Sequence, residues 1–137
     1  MKVKFSNKGF NEFIERLAKM GQDVDPVVKD ALLRSANVTQ HEINVAASKH
    51  RHKGRMFLAT IEPKLEQVNK NAYRVYVGFD GANDKEGLMH AIFLNYGTPK
   101  RKEHGQVEAT HFFEKAIKRA AKKRKAILEN IINEVGG

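Results

Sequence analysis

The hydrophobic period of this chain changes near its middle and then changes back, and this pattern limits the folds open to it. Phe10, Phe13, Ile14, Leu17 and Met20 recur at helical spacing. Val28, Leu32, Ala36, Thr39, Ile43 and Ala46 or Ala47 carry a second helical stripe. From Met56 the period shortens to two, most cleanly in Tyr73, Val75, Val77 and Phe79, which alternate with Arg74, Tyr76 and Gly78. From Thr110 to Val135 the helical period returns in Phe113, Ile117, Ala120, Leu128, Ile131 and Val135. The pattern predicts an α+β fold. A long antiparallel hairpin, with a further strand or strands, packs against two or three helices, and the C-terminal helix is long. The 137 residues suit one domain, 1–137, large enough to bury a core without staples. Neither repeats nor a separating linker divide it.

Local signals set the expected boundaries. Gly21 stops the first helix in a left-handed conformation. Asp25-Pro26 reads as an N-cap followed by proline at the first helical position, which starts a helix running to about His50. Lys49 to Arg55 is too charged for a core and reads as a loop. Met56 to Ile61 reads as a strand, with Pro63 bending it, and Asn69-Lys70-Asn71 turns the chain into the strand at 73–79. Residues 80–84 form a loop. Leu88 to Tyr96 is densely apolar and short enough for a strand or a buried helical turn; a short helix is the favoured reading, ended by Gly97-Thr98-Pro99. Lys100 to Val107 is a second basic loop. Ala91, Phe93 and Tyr96 are expected in the core, and Phe13, Leu17, Leu32, Phe93 and Phe113 are expected against the strand 73–79.

Composition excludes several classes of protein. The absence of cysteine removes disulfides and Cys-based zinc sites. No apolar run approaches the ~20 residues of a spanning helix. Nor does a signal-peptide pattern follow Met1 to Phe10, so the chain is expected in the cytosol, away from any membrane. The formal charge of +9 is concentrated. Lys49, Arg51, Lys53 and Arg55 stand without an acid, and residues 98–125 hold ten lysines and arginines against Glu103, Glu108 and Glu114. Such segments attract nucleic acid, anionic lipid or acidic protein.

No catalytic pattern survives inspection. His50 and His52 sit two apart among four cations that would repel a metal, and no third ligand follows at a usual spacing. His41-Glu42 lacks the second histidine of a His-Glu-x-x-His helix, because Val45 occupies that position. Glu42, Glu62, Glu66, Asp80 and Asp84 fall on helix faces, strand edges and a loop. A metal-free nuclease built from His104 or His111 with Lys100 to Lys102 is a competing reading, but nothing in the sequence fixes its geometry. Gly78 and Gly81 lack the Gly-Lys-Ser/Thr ending of a phosphate loop. The run Lys118-Arg119-Ala120-Ala121-Lys122-Lys123-Arg124-Lys125 reads either as a solvated helix face or as a docking face for phosphates or acidic protein. The aromatic residues lie in apolar stripes and not among these cations, which argues against single-strand stacking.

The order of these features resembles the head–tail joining, or tail-completion, proteins of long-tailed bacteriophages and prophages. Gly54-Arg55-Met56 precedes Thr60-Ile61, as a Gly-Arg-Leu segment precedes Ser-Ile in that family. Tyr76-Val77-Gly78 matches its Val-Gly strand end. His90-Ala91-Ile92-Phe93-Leu94-Asn95-Tyr96-Gly97-Thr98 is similar to its Tyr-Ala-x-Phe-x-Glu-Phe-Gly-Thr pattern. His111-Phe112-Phe113 stands where an Arg-Pro-Phe-like segment leads into its C-terminal helix.

The resemblance implies a structural virion protein that is not an enzyme and needs no cofactor or metal. Copies would form a homo-oligomeric ring at the neck, contacting the head connector and tail-tube proteins around a lumen that passes DNA. The chain would remain in the bacterial cytoplasm, free of its partners, until assembly. A small basic nucleic-acid-binding protein is the main alternative. The two basic loops, 49–55 and 99–107, are expected to be mobile and, together with the polar face of the final helix, to form the working surface. Lys49, Arg51, Lys53, Arg55, Lys100, Arg101 and Lys102 would steer a partner. Met56, Phe57 and Phe112, which fall outside the best apolar stripes, would supply its apolar contacts.

Overall fold

A computed structural model of the chain describes residues 1–98 and 107–136. It is an α+β fold with a three-stranded antiparallel sheet ordered β1-β3-β2. The strands are β1 (Lys2–Ser6), β2 (Glu66–Asn69) and β3 (Ala72–Gly78). The helices are α1 (Asn11–Lys19), α2 (Val24–Ala47), α3 (Lys53–Ala59), α4 (Lys85–Tyr96) and α5 (Phe112–Gly136). A short 3-10 turn, Asn7–Phe10, leads from β1 into α1.

Strand β3 is central, and its alternation decides which face is covered. Tyr73, Val75, Val77 and Phe79 are buried against the helices, with Leu17, Leu32, Ala36 and Ile43 in the same core. The long helices α2 and α5 pack on each other beneath the sheet. Of the predicted stripes, Val28, Leu32, Ala36, Thr39, Ile43, Ala46 and Ala47 on α2 and Phe113, Ala120 and Ile131 on α5 are buried, and Ile117, Leu128 and Val135 are half-buried. Ala31, Ser35, Gln40 and Glu42 of α2 with Phe112, Ala116 and Ile132 of α5 join the buried set. Ala36, Ala46, Ala47, Ala116 and Ala120 let the backbones approach closely. Gly21 ends α1 at φ 72°, and the Asn69–Asn71 turn joins β2 to β3.

Several expectations fail, each for a local reason. Helix α2 begins at Val24 with Asp23 in the capping position, two residues before the expected Asp25 cap. Asp25 instead accepts a hydrogen bond from the Tyr73 hydroxyl at 2.9 Å, and Pro26 is tolerated because the first turn has no intrahelical use for its N–H. The segment Met56 to Ile61 is not a strand. Lys53–Ala59 is helical, with Met56 and Ala59 buried three residues apart, and only Thr60 bridges to the sheet, at Phe79. A run of four apolar residues, Met56-Phe57-Leu58-Ala59, fits either period, and packing against α4 selects the helix. The basic loop expected over 49–55 is therefore a short turn that becomes α3 at Lys53.

The hairpin partner of β3 is instead the four-residue β2, and the third strand comes from the N-terminus. In β1, Val3 and Phe5 pair with Val77 and Val75 and point to the core, while Lys2 and Lys4 point outward. Helix α4 forms as expected, but Phe93 and Tyr96 are 41% and 57% exposed and are not core. Its inner face is Gly87, Ala91 and Asn95. Helix α5 begins at Phe112, two residues later than Thr110.

Candidate interaction surfaces

Two surfaces stand out, and neither matches the sequence-based surface residue for residue. The first lies on the α3–α4 pair. Gly87 brings the two helices together, since a Cβ there would lie 2.3 Å from the Arg55 carbonyl oxygen. Arg55 reaches across with its guanidinium, placing Nε 2.8 Å from one Asp84 oxygen and a terminal nitrogen 3.1 Å from the other. The same guanidinium lies 3.2 Å from Glu86. With α4 held this way, Met89, Phe93 and Tyr96 point outward at i, i+4 and i+7. Phe57 and Leu58 are exposed on α3. A cleft of about 640 Å³ opens beside them, lined by Arg51, His52, Met56, His90, Phe93 and Val107 among others. The His52 and His90 rings stack with centroids 4.3 Å apart, fixing the 48–52 turn against α4.

The connection from α4 to α5 is anchored at both ends. Gly97 terminates α4 at φ 80°, where a Cβ would meet the Ala109 nitrogen and the Val107 oxygen at 2.9 Å. Thr98 donates its N–H to the Val107 carbonyl at 2.8 Å, and its hydroxyl accepts the Val107 N–H at 3.0 Å. Asn95 is fully buried and joins the helices. Its carbonyl oxygens accept from two backbone N–H groups of the next segment, His111 at 3.0 Å on the main chain and Phe113 at 2.9 Å on the side chain. Its amide donates to Glu114 at 2.9 Å. Asn95 thus caps α5 from another helix, a role that sequence spacing does not reveal.

The second surface is cationic and lies along α5 where it crosses α2. Lys49, His50, Lys115 and Arg119 line one cleft, and Lys115, Lys118, Arg119, Lys122 and Lys123 line the next, so the two share Lys115 and Arg119. Among the described residues, the only carboxylate in this lining is Glu42 of α2, which is buried. It accepts a hydrogen bond from Lys123 and lies 3.7 Å from Arg119. The Lys123 hydrogen bond holds the Glu42 carboxyl below its ordinary value, and burial opposes this. Arg124 turns inward, donating to the Thr39 hydroxyl at 2.9 Å and lying over the Phe5 ring. The basic run 118–125 is therefore divided. Arg119, Lys123 and Arg124 tie α5 to α2, while Lys118 and Lys122 face solvent.

The predicted surface residues separate accordingly. Lys49, Arg51 and Lys53 are exposed, and Phe57 is 38% exposed. Arg55 is taken up by Asp84 and Glu86. Contrary to expectation, Met56 and Phe112 are not surface residues: both are buried, at 0% and 4% exposure, and belong to the core cluster, although each forms part of a cleft floor. Phe112 packs on His50 and Phe79, with ring centroids 5.5 and 6.0 Å away. Lys100, Arg101 and Lys102 lie outside the described residues, as does His104. His111 is exposed, at φ 52°, with Nδ1 3.9 Å from Glu114. Among the described residues, no three His, Asp or Glu side chains converge as a metal site, and no helix is long and apolar enough to cross a membrane.

Comparison with family models, curated proteins and solved structures gives no match for this chain.

Proposed function

We propose that this chain is a structural virion protein of a tailed bacteriophage or prophage, forming a ring at the neck that completes the tail and joins it to the head connector. The observation that carries this reading is the outward stripe Met89, Phe93 and Tyr96 on α4, with Phe57 and Leu58 also exposed on α3. Exposed aromatic and aliphatic side chains grouped on a rigidly held helix pair suit burial against a neighbouring subunit. Phe93 and Tyr96 fall within the segment most similar to the tail-completion proteins, and Met89 directly precedes it. Two other segments of that resemblance lie near it: Gly54-Arg55-Met56 falls in α3, which packs on α4, and His111-Phe112-Phe113 opens α5 beside Asn95. The neighbours are further copies of this chain, head-connector subunits and tail-tube subunits. The reading assigns it no reaction and no cofactor.

The test replaces Met89, Phe93 and Tyr96 together with serine in the phage or prophage genome that encodes the chain. The purified variant should keep its helical circular dichroism, because these side chains lie outside the core. Electron microscopy should then show DNA-filled heads and unattached tails. Infectious particles forming at the normal yield would overturn the reading.

A further inference from the structure

The geometry points to the α2–α5 groove as a binding site for a nucleic-acid phosphate backbone, read without sequence preference. The groove presents Lys49, Lys115, Lys118, Arg119, Lys122 and Lys123 around one carboxylate, Glu42, which is already satisfied by two of them. Lys49, Lys115, Lys118 and Lys122 pair with no carboxylate among the described residues, so their charges are available to a ligand. The α5 members recur at i, i+3, i+4, i+7 and i+8, which puts them on one face over ~12 Å of helix.

Two polyanions could occupy such a track, a nucleic acid or an acidic protein segment, and the lining favours the first. Protein partners gain affinity from apolar anchors buried at the centre of an interface. No large exposed hydrophobic side chain lies on the described residues of α5, and the buried Phe112 in one cleft is already packed on His50 and Phe79. A phosphate backbone needs no such anchor, because release of its condensed counterions supplies the affinity. Among the described residues, no Phe, Tyr or Trp ring is exposed in the groove for stacking. Its unpaired cations are lysines, which meet phosphates as point charges, and its one arginine is engaged by Glu42, so the contacts are assigned to the backbone and not to base edges. Because Glu42 fixes Arg119 and Lys123 in place, part of the positive surface is ordered before the ligand arrives.

The site does not depend on the neck reading, since it uses a different face. Anisotropy of a labelled short DNA duplex across a salt series tests it. About four neutralised phosphates give a slope of log K against log salt of roughly −3 to −4. Lys115→Gln, Lys118→Gln and Lys122→Gln together should flatten the slope by about 2 to 3 and weaken binding at low salt at least tenfold. A control variant removes the same charge elsewhere, with Lys19→Gln, Lys64→Gln and Lys85→Gln, and should bind as the unaltered chain does. Equal losses from the two variants would overturn the site in favour of diffuse attraction by net charge. Polyglutamate of matched charge binding as tightly, with the same loss in the groove variant, would overturn it in favour of acidic protein. Unaltered protein that fails to bind the duplex at low salt would also overturn it. The head–tail joining assay reads the α4 stripe, so either proposal can fail alone.

Discussion

Arg55 and Asp84 form a two-pronged ion pair across α3 and α4, and Asp84 is also the N-cap of α4, accepting the Gly87 N–H at 2.8 Å. One carboxylate thus satisfies a helix end and anchors a second helix. The Asp84 side chain is only 17% exposed, although Arg55 is 44% exposed. An arginine that looks like a surface charge in the sequence is part of the scaffold.

Asp84→Ala should therefore cost more than a surface charge does. Loss of a side-chain N-cap costs about 0.5–2 kcal/mol, and loss of the guanidinium partner adds to it. A double-mutant cycle with Arg55→Ala, followed by urea denaturation, should show coupling of at least ~0.5 kcal/mol. Strictly additive losses would mean that the pair contributes nothing beyond the cap. Tests of the basic surface should leave Arg55 in place for this reason.

Asn95→Ala removes the buried acceptor of the Phe113 N–H and strands that donor at the start of α5. An unsatisfied buried group of this kind costs about 1–3 kcal/mol. Asn95→Asp keeps the acceptor but brings a second carboxylate against Glu114, so it should recover only part of the loss. Full stability in the Asn95→Asp variant would show that the amide donation to Glu114 is immaterial. Chemical denaturation of the three proteins decides it.

Met56 and Phe57 are adjacent in sequence and opposite in environment. Met56→Ala empties a fully buried position and should cost about 2–5 kcal/mol. Phe57→Ala should be close to neutral, within about 1 kcal/mol, because its ring is 38% exposed. Similar melting temperatures for the two variants would contradict the helical assignment of Lys53–Ala59.

Glu42 makes part of the stability dependent on pH. Its carboxyl is held below the ordinary 4.5 chiefly by the hydrogen bond from Lys123, with the Lys123 and Arg119 charges adding to the effect. Between the lowered folded value and 4.5 the unfolded chain binds more protons, so stability rises with pH in that window. The contribution is fully present above 4.5 and is lost as pH falls through the folded value. The stability difference between the unaltered chain and Glu42→Gln should be constant at neutral pH and shrink below 4.5. A difference that stays constant into acid would show that the carboxylate does not stabilise the fold.

The sequence by itself determined the elements whose period is long or clean. The stripes of α2 and α5 and the alternation of β3 follow from spacing, because a long amphipathic segment has only one way to bury its apolar side, and the stop at Gly21 follows from the residue type. Sequence also located the excess charge, in 49–55 and 98–125. Short segments were decided by their neighbours. Lys2–Ser6 alternates over five residues, too few to define a strand until β3 offers an edge to pair with. Met56 to Ala59 reads equally as strand or helix, and contact with α4 selects the helix. Phe93 and Tyr96 belong to an apolar run, but Gly87, Ala91 and Asn95 take the inner face of α4, because only small or hydrogen-bonded side chains fit that close against α3 and α5. The surfaces were least legible of all. Whether a cation faces solvent or answers a carboxylate depends on residues far away in sequence: Asp84 for Arg55, and Glu42 for Lys123, 81 residues apart. Composition fixes the number of charges, but only tertiary packing decides which of them remain free to meet a partner.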